Sequence, residues 1–236
     1  MRPVVTFHTP LVRLALLVFA AATPEFAQGL HFGVKAGVPI TEYFETGQTG
    51  SLHGHAEYSA ATRRYTVGVS AEWRLTHNFG WELDALFKRM GYVGIVTSYG
   101  LFTGGITTNS AYDSKGDSWD FPLMAKYRFG RATRPYVAGG AVVRYIGPIR
   151  ALGQVTEQNL ITGVTTTTPI DTTDPSDVRK RFYLGVTMAG GIELGSARLR
   201  LLPEFRYTRW TANIAGPLGL LRFDPNQAEF LLGLLF

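Results

Sequence analysis

The chain has 236 residues, of which 45% are hydrophobic, 17% charged and 13% aromatic, with a formal net charge of +5 and no cysteine. That length suits one large domain or two small ones with a sizeable core, which excludes wholesale disorder. Without cysteine there is neither a disulfide framework nor a thiolate metal site, and the charged fraction is low against a norm of about 25%.

The N-terminus reads as an address. Arg2 and Arg13 precede an apolar run, residues 14–22, which is too short for a helical span of roughly 20 residues. It fits the core of a cleaved secretory signal over residues 1–27, with the cut between 22 and 28, leaving 28–236 as the mature domain. No later stretch approaches helix-spanning length, so any membrane span must be made of strands.

From Gly29 onward the dominant period is two, and eight strands are predicted. In the first, Leu30, Phe32, Val34, Ala36 and Val38 oppose His31, Gly33, Lys35 and Gly37. The second, residues 65–75, sets Tyr65, Val67, Val69, Ala71, Trp73 and Leu75 against Glu72 and Arg74. The third, residues 79–88, places Glu82, Asp84 and Lys88 opposite its aromatics. The fourth, residues 119–129, does the same with Asp120, Lys126 and Arg128. The fifth, residues 135–146, is Gly-rich, and its phase is set to turn Arg144 inward. The sixth turns Tyr183, Thr187 and Glu193 inward, and the seventh Arg200, Glu204 and Arg206. The last ends the chain with Phe230, Leu232, Leu234 and Phe236 opposite Glu229.

The connections alternate as well. Short turns at 76–78, 130–134 and 195–197 separate long segments at about 40–62, 91–117, 147–177 and 211–226, so in a meander all long loops leave from one end. That is the layout of an outer-membrane barrel with short periplasmic turns and long external loops. A soluble barrel would bury the apolar face instead. Two observations favour lipid outside. Aromatics cluster near both strand ends, as interfacial girdles do. The other face carries nearly balanced charge, as enclosed ions require. The expected class is all-β: an eight-stranded antiparallel up-and-down transmembrane barrel.

Two adjacent segments, residues 119–129 (WDFPLMAKYRF) and 134–145 (RPYVAGGAVVRY), carry a resemblance. Their Pro-Leu-x-x-Lys-Tyr-x-Phe strand, short turn and Pro-Tyr-x-x-x-Gly resemble the bacterial outer-membrane β-barrel domain family of small PorT-like and OmpA/OmpX-like proteins. The resemblance implies the fold and a location in the bacterial outer membrane. It also implies that the C-terminal Phe236 is the signal captured by the barrel-assembly machinery. These families share no single activity.

An eight-stranded lumen is wide enough only for side chains to fill it. The inward residues Lys35, Glu72, Glu82, Asp84, Lys88, Asp120, Lys126, Arg128, Arg144, Glu193, Glu204 and Arg206 are expected to form an ionic network nested against glycines. The leading reading is a closed structural or interaction barrel whose loops make external contacts. The alternative is a narrow channel for small solutes or ions, gated where Arg128, Arg144 and Arg206 face Asp84, Asp120 and Glu204. An enzyme is not expected, because no nucleophile, base and orienting acid fall together. No cofactor is expected either, and no metal. His53-Gly-His55 with Glu57 is too weak a metal motif. Asp171, Asp174 and Asp177 lack the glycine and terminal glutamate of a calcium loop, and read as a Pro- and Thr-rich hinge. Arg63, Arg64, Arg179, Lys180 and Arg181 fall at the loop-side rim, where they would meet phosphates of outer-membrane lipid, including lipopolysaccharide. Nucleic acid is not an expected partner, since the basic residues alternate with acids.

Overall fold

The computed structural model describes residues 29–100, 105–130, 134–173, 181–196, 199–211 and 222–236. The signal segment, Arg179, Lys180, Asp174 and Asp177 lie outside them. Among the described residues there are eleven strands: β1 (Leu30–Pro39), β2 (Gly47–Ser51), β3 (Gly54–Ala60), β4 (Thr66–Arg74), β5 (Phe79–Ser98), β6 (Ile106–Arg128), β7 (Arg134–Asn159), β8 (Thr165–Thr173), β9 (Phe182–Gly195), β10 (Arg200–Trp210) and β11 (Asn226–Leu235).

Eight of these form a ring. β1 pairs with β4, β4 with β5, β5 with β6, β6 with β7, β7 with β9, β9 with β10 and β10 with β11, all antiparallel. β11 returns to β1, with Val34 opposite Leu234 and Val38 opposite Phe230. Closure leaves no free edge within the ring, so every strand hydrogen-bonds on both sides.

The alternation sorts the side chains cleanly. Val69, Leu123 and Val186 point outward at 58, 50 and 57% exposure, an apolar band that only hydrocarbon makes favourable. Aromatics bracket it. Phe87 packs on Trp119 and Tyr145 on Phe182 at the external end, while Phe79 meets Trp81 and Tyr127 meets Phe129 at the turn end.

Glycine permits the tight winding of so small a ring. A Cβ on Gly68 would lie 2.1 Å from the Ala85 carbonyl oxygen, and one on Gly140 only 1.9 Å from that of Leu123. At these two positions the adjacent backbones approach more closely than any L side chain allows.

The long connections expected at 40–62, 91–117 and 147–177 contain much strand. β5, β6 and β7 continue far past the external girdle, and β2, β3 and β8 extend the sheet sideways. At Gly91 the partner of β5 changes: Lys88 still pairs with β4, whereas Tyr92 pairs with Ala60 of β3. The Gly91 carbonyl accepts from the Ala61 amide at 2.9 Å. β7 changes partner likewise, from β9 at Tyr145 to β8 at Arg150. The result is an external sheet in the order β2-β3-β5-β6-β7-β8 standing on one side of the barrel. Its strands persist because β-branched residues such as Val93, Ile95, Thr97, Val155 and Thr165–Thr168 keep pairing outside the bilayer. The hinge expected around Asp171 is part of β8, where Asp171 is held by Arg150 with bonds of 2.8 and 2.7 Å.

Candidate functional site

The barrel interior is filled with charge. Among the described residues, seven cations and seven anions are buried there, Arg200 and Glu229 among them. They fall into three tiers stacked along the axis.

Nearest the turns, Glu72 and Glu193 share a group of arginines. Arg74 donates to Glu72 at 2.8 Å and to Glu193 at 2.6 Å. Arg128 donates its Nε to Glu193 at 2.9 Å and pairs with Glu72 through its terminal nitrogen. Arg200 reaches both acids, at 3.2 and 3.4 Å. The expected facing of Arg128 with Asp84, Asp120 and Glu204 is therefore corrected: its partners are one tier lower. Alternation assigns a residue to a face, whereas height along the axis depends on the stagger of the strands.

The middle tier joins five strands. Lys35 contacts Glu82 at 2.5 Å, Asp84 at 3.1 Å and Glu204 at 3.4 Å. Arg206 pairs with Asp84 at 2.7 Å and Glu204 at 2.5 Å. Tyr136 donates its hydroxyl to Glu204 at 2.8 Å. Lys126 bonds Glu82 at 2.5 Å and sits 3.9 Å from the centre of the Tyr136 ring.

In the upper tier Arg144 clasps Asp120, directly opposite it on β6, with bonds of 2.6 and 2.8 Å, and also donates to Gln227 at 2.8 Å. Lys88 lies 2.9 Å from both Asp120 and Glu229. Bidentate and multiply bonded ions of this kind are the arrangements that offset the desolvation of burial.

Above the ions lies a seal that the sequence reading did not anticipate. The segment after β1 folds back over the mouth, burying Tyr43 and Phe44. Phe44 pairs with Phe223 through an isolated antiparallel bridge, and their rings stack at 4.7 Å. Tyr92, Met90, Ile146, Tyr183 and Trp210 complete the cluster from the walls. The Trp210 ring lies 4.1 Å from the Arg144 guanidinium, which joins the seal to the ions below. The adjacent Tyr43-Phe44 pair in an otherwise polar stretch is the sequence signal that marks it. The cavity between Tyr43, Lys88, Gln227 and Glu229 measures about 10 Å³, room for roughly one water.

The expected rim residues are spread out. Arg63 and Arg64 lie between β3 and β4, with Arg64 donating to Glu42 at 2.6 Å. Arg181, just before β9, donates to the Gly147 carbonyl. His55 and Glu57 share one face of β3 and His53 sits in the turn before it. Phe236 closes the ring at the turn end, its amide donating to the Phe32 carbonyl at 2.8 Å.

A closed antiparallel ring with an apolar outer band, two aromatic girdles and a charged, filled interior defines a transmembrane β-barrel. The chain belongs to the outer membrane protein beta-barrel domain family, which matches residues 26–209, and it is a protein of the bacterial outer membrane. No curated relative matches it. Similar solved structures include Neisserial surface protein A, at 13% identity and a TM-score of 0.40, covering 88% of this chain and 96% of that one. OprG from Pseudomonas aeruginosa has 13% identity and a TM-score of 0.46, covering 88% and 94%. Ail of Yersinia pestis has 9% identity and a TM-score of 0.34, covering 88% and 99%.

Proposed function

We propose that this protein is a closed, non-conducting barrel that anchors and displays the external sheet for contacts outside the cell. The observation that carries the reading is double closure. Three tiers of paired ions fill the lumen, and the Tyr43–Phe44–Phe223 seal covers them. Opening a path would require breaking several buried ion pairs at once, each costing about 3–5 kcal/mol if a charge is left alone. The display half of the reading rests on β5, β6 and β7, whose external portions are too long for mere connections. We assign no reaction to the protein.

Planar-bilayer recordings test the closed lumen. Purified barrel should leave the membrane at baseline conductance, and stable large openings would refute it. The narrow-channel alternative predicts instead that Glu204→Gln raises conductance while thermal stability is unchanged.

We further infer that the barrel-assembly machinery reads Phe236, and that Arg63 and Arg64 meet lipid phosphate, including that of lipopolysaccharide. Deleting Phe236 should reduce insertion without altering expression. Replacing both arginines by Gln should reduce co-purified lipopolysaccharide, and unchanged retention would remove that role.

A further inference from the structure

The top of the external sheet is built differently from its sides. Three turns meet there and are tied together by backbone hydrogen bonds. The Tyr99 amide donates to the His53 carbonyl at 3.0 Å, and the Leu160 amide to that of Gly105 at 2.7 Å. Each turn presents large apolar side chains to solvent: Leu52 at 79% exposure, Tyr99 and Ile106 beside it, and Leu160, Ile161 and Val164 at 61, 80 and 59%.

The turn between β7 and β8 is held by its own hydrogen bonds. The Asn159 side chain accepts from the amides of Ile161 and Thr162 at 2.9 and 3.0 Å, and Asn159 and Val164 close the hairpin at 2.9 Å. Gly163 takes the positive φ of 73° that the turn needs. Exposed apolar residues held in place at a tip lower solubility unless they have a partner.

The composition around the tip indicates which partner. The 20 residues from Val93 to Tyr112 contain no charged side chain, and between Gln154 and Ile170 only Glu157 is charged. Around β5–β8 the collar is otherwise hydroxyls and amides, including Thr107, Asn109, Gln158 and Thr165, while β3 and the turn before it bring His53, His55 and Glu57 to one edge. Uncharged apolar projections ringed by neutral polar groups, with a tyrosine at the boundary, suit the interface of a bilayer. This cannot be the barrel's own membrane. Asn159 lies 14 residues beyond Tyr145 of the external girdle on β7. At about 3.3 Å per residue and a tilt of about 40°, that raises the tip by roughly 35 Å.

We propose that this apex is a lipid-insertion tip, which partitions into the surface of a phospholipid bilayer apposed to the cell. The proposal rests on the display reading above and names its partner.

The test uses the full barrel in nanodiscs, mixed with phosphatidylcholine vesicles and separated by flotation. The wild type should float with the vesicles. The double variant Leu160→Ser, Ile161→Ser, which keeps Asn159 and its turn, should bind about tenfold or more weakly. In a separate variant, Ile161→Trp, the new indole should be quenched by brominated chains confined to the added vesicles. Failure of the wild type to float, equal flotation of the double variant, or absence of quenching would each overturn the proposal. Tip-dependent capture of a protein without quenching would overturn it in favour of a protein partner. Conductance of the same preparation separates the two readings: a silent barrel that does not float refutes the tip alone, and a conducting barrel that floats refutes the closed lumen alone.

Discussion

Phe44 and Phe223 stack face to face, at 4.7 Å and 26°, although one follows the first barrel strand and the other precedes the last. Their contact ties the two chain ends of the ring together over its mouth. Phe223→Ala should destabilise the barrel by about 3–5 kcal/mol, the usual cost of emptying a buried aromatic site. Conductance should stay at baseline, because the ion tiers lie beneath the seal. Urea unfolding in detergent together with bilayer recording checks both halves, and a leak in the single variant would show that the tiers do not close the lumen.

Glu204 receives Lys35, Arg206 and Tyr136 at once. Glu204→Gln leaves two buried cations short of an acceptor, and should lower stability by about 3–5 kcal/mol. Tyr136→Phe removes one hydrogen bond and should cost about 1 kcal/mol, although the carboxylate keeps its cations. Comparing the two unfolding midpoints gives the ranking, and equal midpoints would contradict it.

Much of this architecture was legible from alternation. Period two assigns Lys35, Glu82, Asp120 and Glu204 to one face, and the sorting of short and long connections indicates a ring. What alternation omits is height. Arg128 pairs with Glu72 and Glu193 because stagger places it near the turns, and no single-strand pattern contains that stagger. The external strands were hidden for another reason. The alternation counted for the third strand ends at Lys88, yet β5 runs on to Ser98, and Gly91 lets the Ala61 backbone approach where β5 changes partner. The seal was missed because Tyr43 and Phe44 are adjacent and both buried, which fits neither period.

The direction of the lipid face can be measured. Leu123→Arg places a charge in the middle of the apolar band and should cost about 2–4 kcal/mol. Ile161→Arg, at the external tip, should change stability by less than about 0.5 kcal/mol. The reverse order in unfolding experiments would move lipid to the other face.

Arg150 and Asp171 form an exposed bidentate pair outside the bilayer. The hydrogen bonds from Arg150 hold the Asp171 carboxyl below the usual carboxylate range. Because the folded value is the lower one, the pair's small contribution is present above the unfolded value of about 3.9. It is lost as pH falls through the folded value. A carbon-detected titration should show an Asp171 midpoint below that of an ordinary aspartate, and Arg150→Gln should raise it. An unchanged midpoint would mean that the pair does not persist in solution.

Gly140→Val would drive a side chain into the Leu123 carbonyl of the neighbouring strand. The variant should fail to acquire the heat-modifiable mobility of a folded barrel. Gly163→Ala, strained only by its positive φ at the tip, should fold with a loss of about 1 kcal/mol.

The middle tier also constrains how the molecule is made. Lys35 comes from β1, whereas its counter-ions Glu82 and Asp84 come from β5 and Glu204 from β10, so the first hairpin, β1 with β4, contains none of them. A partly inserted hairpin would expose naked charge to hydrocarbon, at a cost of several kcal/mol. Lys35 is therefore neutralised only when β5 and β10 reach it. Assembly becomes concerted, with the early and late parts of the chain waiting for one another before either enters the membrane.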